Sequence, residues 1–303
     1  MEFQSVLPRI ESLTTVGGEL CPMCGAVAPA VAVFSNYQLY RCDGCDCWSS
    51  DALERGAATS FEPTHYFDNS TLDRPKWAAL FQILEVRKRA PDSILDIGCG
   101  TGAFLSWARE ARPGLRCEGI EIDNGRAAEA RERNPEAQIH VGDAIEILSK
   151  SSQQYDLITL WDVFEHVTAP LHLLKELTSH LTPKGSIHIV TIHEQSLVPA
   201  IGRALYRISG KRLVYPIQRT HEAHHLVFFS KRSLEAATRE AGLRIHTLSH
   251  DRLLRGRMDG HPLVTAATAA LLALENALGN GLFINLTLER APAPGQVPGN
   301  SRS

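Results

Sequence analysis

The sequence lacks any concentration of basic charge. Its 31 Lys and Arg residues are outweighed by 34 Asp and Glu residues, which gives a formal net charge of −3, and no long basic tract occurs. A protein that grips a duplex through many phosphates needs such a tract. The composition therefore argues against nucleic acid as a partner.

The sequence also lacks a signal peptide and a membrane-spanning run. The first ten residues carry Glu2 and no long apolar core, unlike a secretory signal. The longest weakly polar stretch, Gly260–Leu274, contains Thr, His and Gly and is shorter than the ~20 apolar residues that a bilayer requires. We therefore expect a cytoplasmic protein without a membrane span, in which thiols stay reduced.

Cysteine is present but unevenly distributed, with five of the seven residues lying between Cys21 and Cys47. Four of them form two C-x2-C pairs separated by 17 residues, a spacing typical of a closed structural zinc site. A redox dithiol and an iron–sulfur site are the alternatives, and the paired spacing favours zinc over both. The predicted zinc ligands are Cys21, Cys24, Cys42 and Cys45. We interpret Cys47 as a small buried residue.

The segment around these cysteines is predicted to be a zinc ribbon. Val31–Phe34 and Gln38–Tyr40 could form its short hairpin, and Arg41 is the one basic residue between positions 17 and 50. Because so little positive charge is present, phosphate contact is disfavoured, and a docking or substrate-binding role is preferred.

Three regions differ in composition along the chain. Residues 1–60 are a zinc-ribbon-like module, residues 61–92 a helical connector, and residues 93–290 an α/β domain with an irregular insertion at 193–227. The Pro-, Gly- and Ser-rich tail, 291–303, is predicted to be disordered.

Within the α/β domain, short β-rich runs alternate with amphipathic segments, which indicates a doubly wound, mostly parallel sheet. The predicted strands are Ser93–Ile97, Arg116–Ile122, Gln138–Val141, Asp156–Trp161, Ser186–Thr191, Leu243–Leu248 and Leu282–Glu289. The predicted helices, including one in the connector, are Trp77–Arg89, Ala103–Ala111, Gly125–Arg133, Leu171–Leu181, Ser230–Ala241 and Leu263–Leu278.

The strongest chemical signal is the glycine-rich turn that follows the first of these strands. Gly98 and Gly100 let the backbone turn sharply and approach a ligand, but the same pattern also fits a dinucleotide-binding loop. Asp96 lies within the strand just before the first glycine. A carboxylate there does nothing for a phosphate and suits a cationic ligand group.

Further acids follow the next strands. Glu121 ends the second strand, where a carboxylate can hold both hydroxyls of a ribose. Asp143 follows the third strand, and with the backbone N–H of Ala144 it could contact an adenine edge. Asp162 follows the fourth strand, where it could contact a cofactor or cap a helix.

This ordered series resembles the class I S-adenosylmethionine-dependent methyltransferases, in particular ubiquinone-type O-methyltransferases and zinc-ribbon tailoring methyltransferases. The resemblance covers roughly residues 20–290, and the acid at 121 departs from some relatives in being Glu rather than Asp. It implies a Rossmann-like fold with seven strands, the last antiparallel, and a zinc module beside the substrate site. The cofactor residues it implies are Asp96, Gly98, Gly100, Gly102, Glu121, Asp143, Ala144 and Asp162.

Methyl transfer from a sulfonium is a displacement that needs positioning, together with a base when the acceptor starts protonated. Among the 13 histidines, the catalytic candidates are those near strand ends or in the insertion: His166, His193, His224 and His225. Each could equally be a satisfied polar residue at the end of an element. A metal site formed by His221, His224 and His225 is a weaker alternative.

The sequence favours a small-molecule acceptor, methylated at oxygen, nitrogen or carbon. An RNA or protein methyltransferase is the first alternative. The mild acidity argues against it, as does the absence of an Asn-Pro-Pro-Tyr-type motif after the fourth strand, where Trp161–Phe164 stands. A non-catalytic cofactor-binding module and a nicotinamide enzyme on the same fold are the remaining alternatives.

Overall fold

The structure is a computed structural model that describes residues 18–57, 70–251 and 262–292. The first part of the predicted connector and nearly all of the predicted disordered tail lie outside these residues. Among the helices described, none is long and apolar enough to cross a membrane.

A small antiparallel sheet surrounds the clustered cysteines. Its strands follow one another as β1 (Gly18–Leu20), β2 (Val27–Val33), β3 (Gln38–Arg41) and β4 (Trp48–Ser50). The predicted hairpin is therefore present as β2 and β3, although β2 begins earlier than expected. A fifth strand, β10 (Val227–Phe228), comes from much later in the chain and pairs with β4.

The second sheet has seven strands. They are β5 (Ser93–Ile97), β6 (Arg116–Glu121), β7 (Gln138–Val141), β8 (Tyr155–Trp161), β9 (Leu181–Ile192), β11 (Leu243–Asp251) and β12 (Phe283–Arg290). Their order is β11-β12-β9-β8-β5-β6-β7, and β12 runs antiparallel to both of its neighbours. The predicted doubly wound sheet with an antiparallel last strand is confirmed. β6 and β8 lie on opposite sides of β5, so the strand order reverses there. Open α/β sheets bind their ligands at this kind of switch point, outside the carboxyl ends of the strands, here β5 and β8.

Nine helices accompany the sheets in the described part of the chain. They are α1 (Ser70–Val86), α2 (Ala103–Ala111), α3 (Asn124–Arg133), α4 (Ala144–Leu148), α5 (Pro170–Ser179), α6 (Leu197–Ile208), α7 (Tyr215–Thr220), α8 (Lys231–Glu240) and α9 (Pro262–Ala277). The predictions for α2, α3, α8 and α9 are correct to within one or two residues at each end.

The other helices show where the sequence pattern misleads. The predicted helix to Leu181 ends at Ser179, because Leu181 already pairs with Tyr155 as the start of β9. Helix α4 is too short to show a period. The insertion is not irregular, since α6 and α7 lie within it. Its buried residues Pro199, Gly202 and Tyr206 recur at helical spacing, a signal that was present in the sequence.

The seven-stranded sheet is buried on both faces. Ile94 belongs to a cluster with residues of α1, α2 and α3, whereas its neighbour Leu95 packs in a cluster with residues of α5 and α8. Successive side chains of a strand point to opposite faces, so β5 contributes to both layers. This two-sided burial explains why the strand reads as a continuous apolar run.

The cysteine module shares its core with the insertion. A third cluster joins module residues such as Phe34, Leu39 and Trp48 to Tyr206 of α6 and Ile217 of α7. The module is thus a separate region in sequence that has no separate core.

Candidate active site and zinc centre

The glycine-rich loop begins directly after β5. Gly98, Gly100 and Gly102 have φ angles of 67°, 55° and 74°, a left-handed conformation that glycine adopts without strain. A Cβ at Gly98 would lie 2.5 Å from Cγ2 of Val163. The loop therefore passes in close contact with the segment that follows β8.

Asp96 lies beneath this loop and is 2% exposed. Its Oδ1 accepts a hydrogen bond of 2.6 Å from the Thr159 hydroxyl. Burial raises the pKa of Asp96 to about 7; the Thr159 bond opposes this rise and the negative charge of Glu121 adds to it. A cationic ligand group nearby would favour the ionised form of this carboxyl.

Glu121, at the end of β6, is 4% exposed and connects that strand to the loop. The backbone N–H of Gly100 donates to its Oε2 at 2.7 Å, and the N–H of Asp123 donates to its Oε1 at 3.0 Å. These bonds fix the orientation of the carboxylate. Since an ionised carboxylate has about four acceptor positions, it retains capacity for two ligand hydroxyls.

Two further predicted cofactor acids occupy distinct local environments. Asp143 is exposed and caps α4, because its Oδ1 accepts from the N–H groups of Ile145 at 2.8 Å and Glu146 at 3.1 Å. Asp162 has a φ of 54°, which is uncommon for a residue other than glycine and occurs often at functional sites. The residue at the cap position of the next helical turn is Val163 rather than Asp162.

Three of the four candidate catalytic histidines come together. His166 ends a 3-10 helix, Phe164–His166, and its Nδ1 lies 2.8 Å from the carbonyl oxygen of His224. The ring centroid of His225 is 4.9 Å from that of His166 and 4.2 Å from that of His224. Burial lowers the pKa of His166, although its bond to the His224 carbonyl opposes the effect. We call His166, His224 and His225 the histidine cluster.

His193 lies elsewhere. It is 4% exposed, its Nδ1 is 3.0 Å from the carbonyl oxygen of Gly281, and its ring packs 4.7 Å from that of His250. Burial also lowers the pKa of His193. His193 therefore packs at the β11–β12 side of the sheet.

His221, the third member of the weaker metal alternative, is also directed elsewhere. It is fully buried, and its Nε2 is 2.9 Å from Oε2 of Glu194. Glu165, which was not among the residues predicted from the sequence, joins His166 and His225 in a group whose potential ligand atoms all lie within 4.8 Å of one another. A Glu-His pair four residues after a strand was the signal available for it.

The four predicted zinc ligands converge as expected. The Sγ atoms of Cys21 and Cys45 are 3.5 Å apart, those of Cys24 and Cys42 are 3.4 Å apart, and all four lie within 4.8 Å. A tetrahedral zinc ion with Zn–S bonds of ~2.3 Å holds its sulfurs ~3.8 Å apart, so the residues fit the ion. The fifth cysteine of the region, Cys47, is 1% exposed, in keeping with its interpretation as a small buried residue.

Comparison with known proteins agrees with this architecture. The family described as "Methyltransferase domain" matches residues 70–248, more than half of the chain. The ubiquinone biosynthesis O-methyltransferase of Coxiella burnetii is 27% identical over 155 residues, which cover 50% of this chain and 63% of that protein. That of Aeromonas salmonicida is 36% identical over 104 residues, covering 33% and 43%. The chain thus matches less than two thirds of the length of these relatives.

Among solved structures, the plantazolicin methyltransferase BpumL in complex with SAH is 17% identical, with a TM-score of 0.50 over 74% of this chain and 86% of that one. At this identity the likeness concerns the fold alone. The order of the seven strands, the position of the glycine-rich loop and the family match agree with one another. The chain belongs to the methyltransferase domain family and has its Rossmann-like fold.

Proposed function

We propose that the protein transfers the methyl group of S-adenosylmethionine to the hydroxyl oxygen of a small-molecule acceptor. The observation that carries this proposal is the close contact between the glycine-rich loop and the segment leading to the histidine cluster. A Cβ at Gly98 would overlap Val163, and His166 follows three residues later. A donor held by the loop and an acceptor held by the histidines would therefore be neighbours.

The residues around the loop fit S-adenosylmethionine. In this proposal, Asp96 balances the ammonium of the methionine part, Glu121 accepts from the ribose hydroxyls, and Gly98 and Gly100 let the backbone approach closely. Gly102 caps α2 behind them. Asp143 with the N–H of Ala144 would face the adenine, and Asp162, between β8 and the 3-10 helix that carries His166, would contact the cofactor from that side. When bound, the cofactor supplies an electrophilic methyl group on a sulfonium.

On the acceptor side, the chain's own contribution is to orient the hydroxyl and take its proton. The His224/His225 pair is the first choice as proton acceptor and His166 the second. Their rings form one cluster, and the backbone N–H of His166 donates to the carbonyl oxygen of Val163. His193 is the last choice, since its Nδ1 is used by the Gly281 carbonyl and its ring is buried.

The zinc centre has a structural role in this proposal. Four thiolates saturate a tetrahedral ion and leave no position for water or substrate. The strand pairing of β4 with β10 fixes the module against the segment that carries His224 and His225. A small molecule, rather than RNA, suits a module with so little positive charge, and the matched relatives named ubiquinone biosynthesis O-methyltransferases support the same acceptor class.

The cofactor assignment is tested by titration calorimetry of the full chain with S-adenosylmethionine, S-adenosylhomocysteine and NAD. We expect binding of the first two with micromolar affinity and none of NAD. Glu121→Ala should weaken binding by about 1–3 kcal/mol, because two hydroxyls lose charge-assisted partners. Glu118→Gln, at another buried carboxylate of β6, is the matched control and should leave the affinity unchanged. Binding of NAD with no response to S-adenosylmethionine would overturn the proposal.

The acceptor chemistry is tested by S-adenosylhomocysteine release in the presence of a panel of phenols, amines, peptides and RNA. Alanine at the base should lower turnover with the active phenol by about 10²–10⁴-fold and leave cofactor affinity nearly unchanged. The variants are single alanines at His224, His225, His166 and His193. Wild-type rates in all four contradict base catalysis by a histidine, and activity on RNA or peptide alone contradicts the small-molecule assignment.

A further inference from the structure

We propose that Glu194 is a positioning residue that holds both ends of the chain segment carrying His224 and His225. We call residues 221–229 the histidine segment. That Glu194 holds this segment stands on the contacts of the described residues. Its effect on methyl transfer rests on the proposed function.

The side chain of Glu194 holds the start of the histidine segment. Its Oε2 lies 2.9 Å from Nε2 of His221, and the two residues are 3% and 0% exposed. On the other side of the imidazole ring, Nδ1 lies 2.9 Å from the carbonyl oxygen of Ile217 in α7. A buried ring with an oxygen at each nitrogen cannot turn without leaving a polar group unpaired, which is costly. The His221 ring is therefore fixed between α7 and Glu194.

The backbone of Glu194 holds the end of the histidine segment. Its N–H donates to the carbonyl oxygen of Phe229 at 2.9 Å, and the preceding residue, His193, forms a parallel bridge with Phe229. Both residues directly follow β9, which ends at Ile192. Glu194 therefore connects the start and the end of the histidine segment to the carboxyl end of one strand, at the edge of the sheet where ligands of α/β proteins bind.

Arg203 of α6 holds Glu194 in turn. Its guanidinium forms an ion pair with Oε1 of Glu194, and its Nη1 donates to the backbone carbonyl oxygen of the same residue at 2.9 Å. The Cζ atom of Arg203 lies 5.3 Å from the centre of the Trp48 ring, in the cysteine module. Charge-assisted bonds of this kind are stronger than neutral ones. The Glu194 carboxylate therefore has one oxygen fixed by α6 and the other available to orient His221.

Between its ends, the histidine segment makes a tight turn. The N–H of His225 donates to the carbonyl oxygen of Glu222 at 3.0 Å, and the N–H of Leu226 donates to the carbonyl oxygen of Glu165 at 2.9 Å. These bonds join the turn to the two ends of the segment. A displacement at either end would therefore also move the rings of His224 and His225.

Such a displacement has a specific chemical consequence. A general base must lie within about 2.6–3.2 Å of the group whose proton it takes. A misplacement of about 1 Å is enough to lower a rate about 100-fold. An acceptor hydroxyl that is already ionised has no proton to lose and does not need the base. Loss of positioning should therefore slow a protonated phenol far more than an ionised phenolate, whereas loss of folded protein would slow both equally.

The first test is hydrogen exchange, measured by mass spectrometry on the full-length protein without ligands. Glu194→Gln keeps the size of the side chain and removes its charge. We expect faster exchange of the backbone N–H groups in residues 221–229. Glu289→Gln is the matched control, because Glu289 is a carboxylate of similar burial, 2% exposed, that forms ion pairs with Arg87 and Arg244. It should leave exchange in the histidine segment unchanged.

The second test is turnover, measured as S-adenosylhomocysteine release. The acceptors are the most active phenol of the panel and its ring-nitrated analogue, at a pH where only the analogue is ionised. Glu194→Gln should lower turnover with the parent phenol about 10–100-fold and change turnover with the analogue little. Its affinity for S-adenosylmethionine should stay at the wild-type value. Glu289→Gln should change both rates by one common factor.

Arg203→Lys provides a milder variant of the same contact. It keeps the positive charge but loses the planar fork that holds Glu194. It should show the same pattern with a smaller amplitude, and it decides both tests if Glu194→Gln does not fold. Thermal unfolding of every variant establishes which of them are folded.

The proposal is overturned if exchange in residues 221–229 is unchanged in the folded variants, or if both phenols lose turnover in the same proportion. The alanine variants of His224 and His225 separate the two proposals. If they discriminate between the two phenols and Glu194→Gln does not, the positioning role alone is refuted. Faster exchange in Glu194→Gln without methylation of any phenol refutes the proposed function alone.

Discussion

The cysteine module and the seven-stranded sheet differ in the interactions that order their chain segments. The sheet buries apolar side chains on both faces, with clusters that reach from α1 to α8. The strands of the module have only three to seven residues, and four cysteine side chains converge within it. A region this small depends on a metal ion or on a neighbour's core.

The module has both available. Besides four cysteines that could hold one zinc ion, it packs against the insertion: the Trp48 ring lies 5.6 Å from that of His221 and 5.3 Å below the guanidinium of Arg203. The Tyr37 hydroxyl donates to the His221 carbonyl at 2.6 Å. A metal ion held by the four cysteines would order the module locally, whereas the shared core orients it against the candidate site.

The largest effect is expected from breaking the metal centre. Structural zinc contributes about 10–16 kcal/mol of apparent binding energy in small zinc domains, so Cys24→Ser should lose the ion and the order of residues 18–57. The sheet should remain folded, because the apolar side chains on its two faces come mainly from its own strands and helices, although Cys21, Cys42 and Cys45 border one of these clusters. Metal analysis and limited proteolysis measure both.

Cys117→Ser is the control, since this buried cysteine of β6 lies in the sheet core, outside the four-cysteine group. It should retain one zinc per chain and an uncut module. Full metal content in a variant lacking both Cys21 and Cys24 would show that other ligands hold the ion.

A smaller effect should follow from the charge buried in the sheet. The folded pKa of Asp96 is raised to about 7 from an unfolded value of ~3.9, so the native state binds more protons between these values and stability falls as pH rises. Asp96→Asn lacks this dependence. Between pH 5 and pH 8, the difference in unfolding free energy between Asp96→Asn and wild type should therefore shift by ~2–3 kcal/mol in favour of the variant. Urea unfolding in the absence of ligands measures this shift.

Asp156→Asn provides a control of opposite sign. Partial desolvation raises the pKa of Asp156, but the donors Thr182, Asp92 and Ser93 outweigh it, and the net shift is downward. A lowered pKa stabilises the folded state above the unfolded pKa, and this stabilisation is lost as pH falls through the folded value. The variant should therefore lose stability relative to wild type at pH 8. Parallel pH profiles for both variants would contradict the buried-charge explanation.

The smallest effect is expected from alanine substitution of one glycine in each region. Gly25 in the module and Gly98 in the cofactor loop have φ angles of 71° and 67°, so alanine meets a similar backbone penalty at both. At Gly25 the new Cβ has nothing within 4 Å, whereas at Gly98 it lies 2.5 Å from a stiff Val163 side chain. Gly98→Ala should cost ~1–3 kcal/mol more unfolding free energy.

Thermal or urea unfolding of the two alanine variants measures this difference. A Val163→Ala background should reduce it, because the overlap is with the valine methyl groups. An equal loss of unfolding free energy at both positions would contradict this explanation, because the loop would then accommodate the new methyl group as easily as an exposed turn does.

Features with a local cause could be predicted closely. The helix from Ala103 to Ala111 and the strand from Ser93 to Ile97 follow from apolar periodicity and from the glycines between them, and both match the structure. The start of β9 at Leu181 could not be found in this way, because it depends on pairing with Tyr155 of β8. The insertion helices were missed although their buried positions recur at helical spacing.

The sequence by itself determined the chemistry available to each segment: two cysteine pairs at zinc spacing, a glycine turn preceded by Asp96, and acids at the ends of successive strands. These depend on residues a few positions apart, whose geometry the backbone sets. Only the tertiary structure decided which of them meet. It paired β10 with β4, brought His225 to Glu165 and His166, and buried Asp96 enough to raise its pKa to about 7. Each of these depends on burial and contacts between distant segments, which no local pattern encodes.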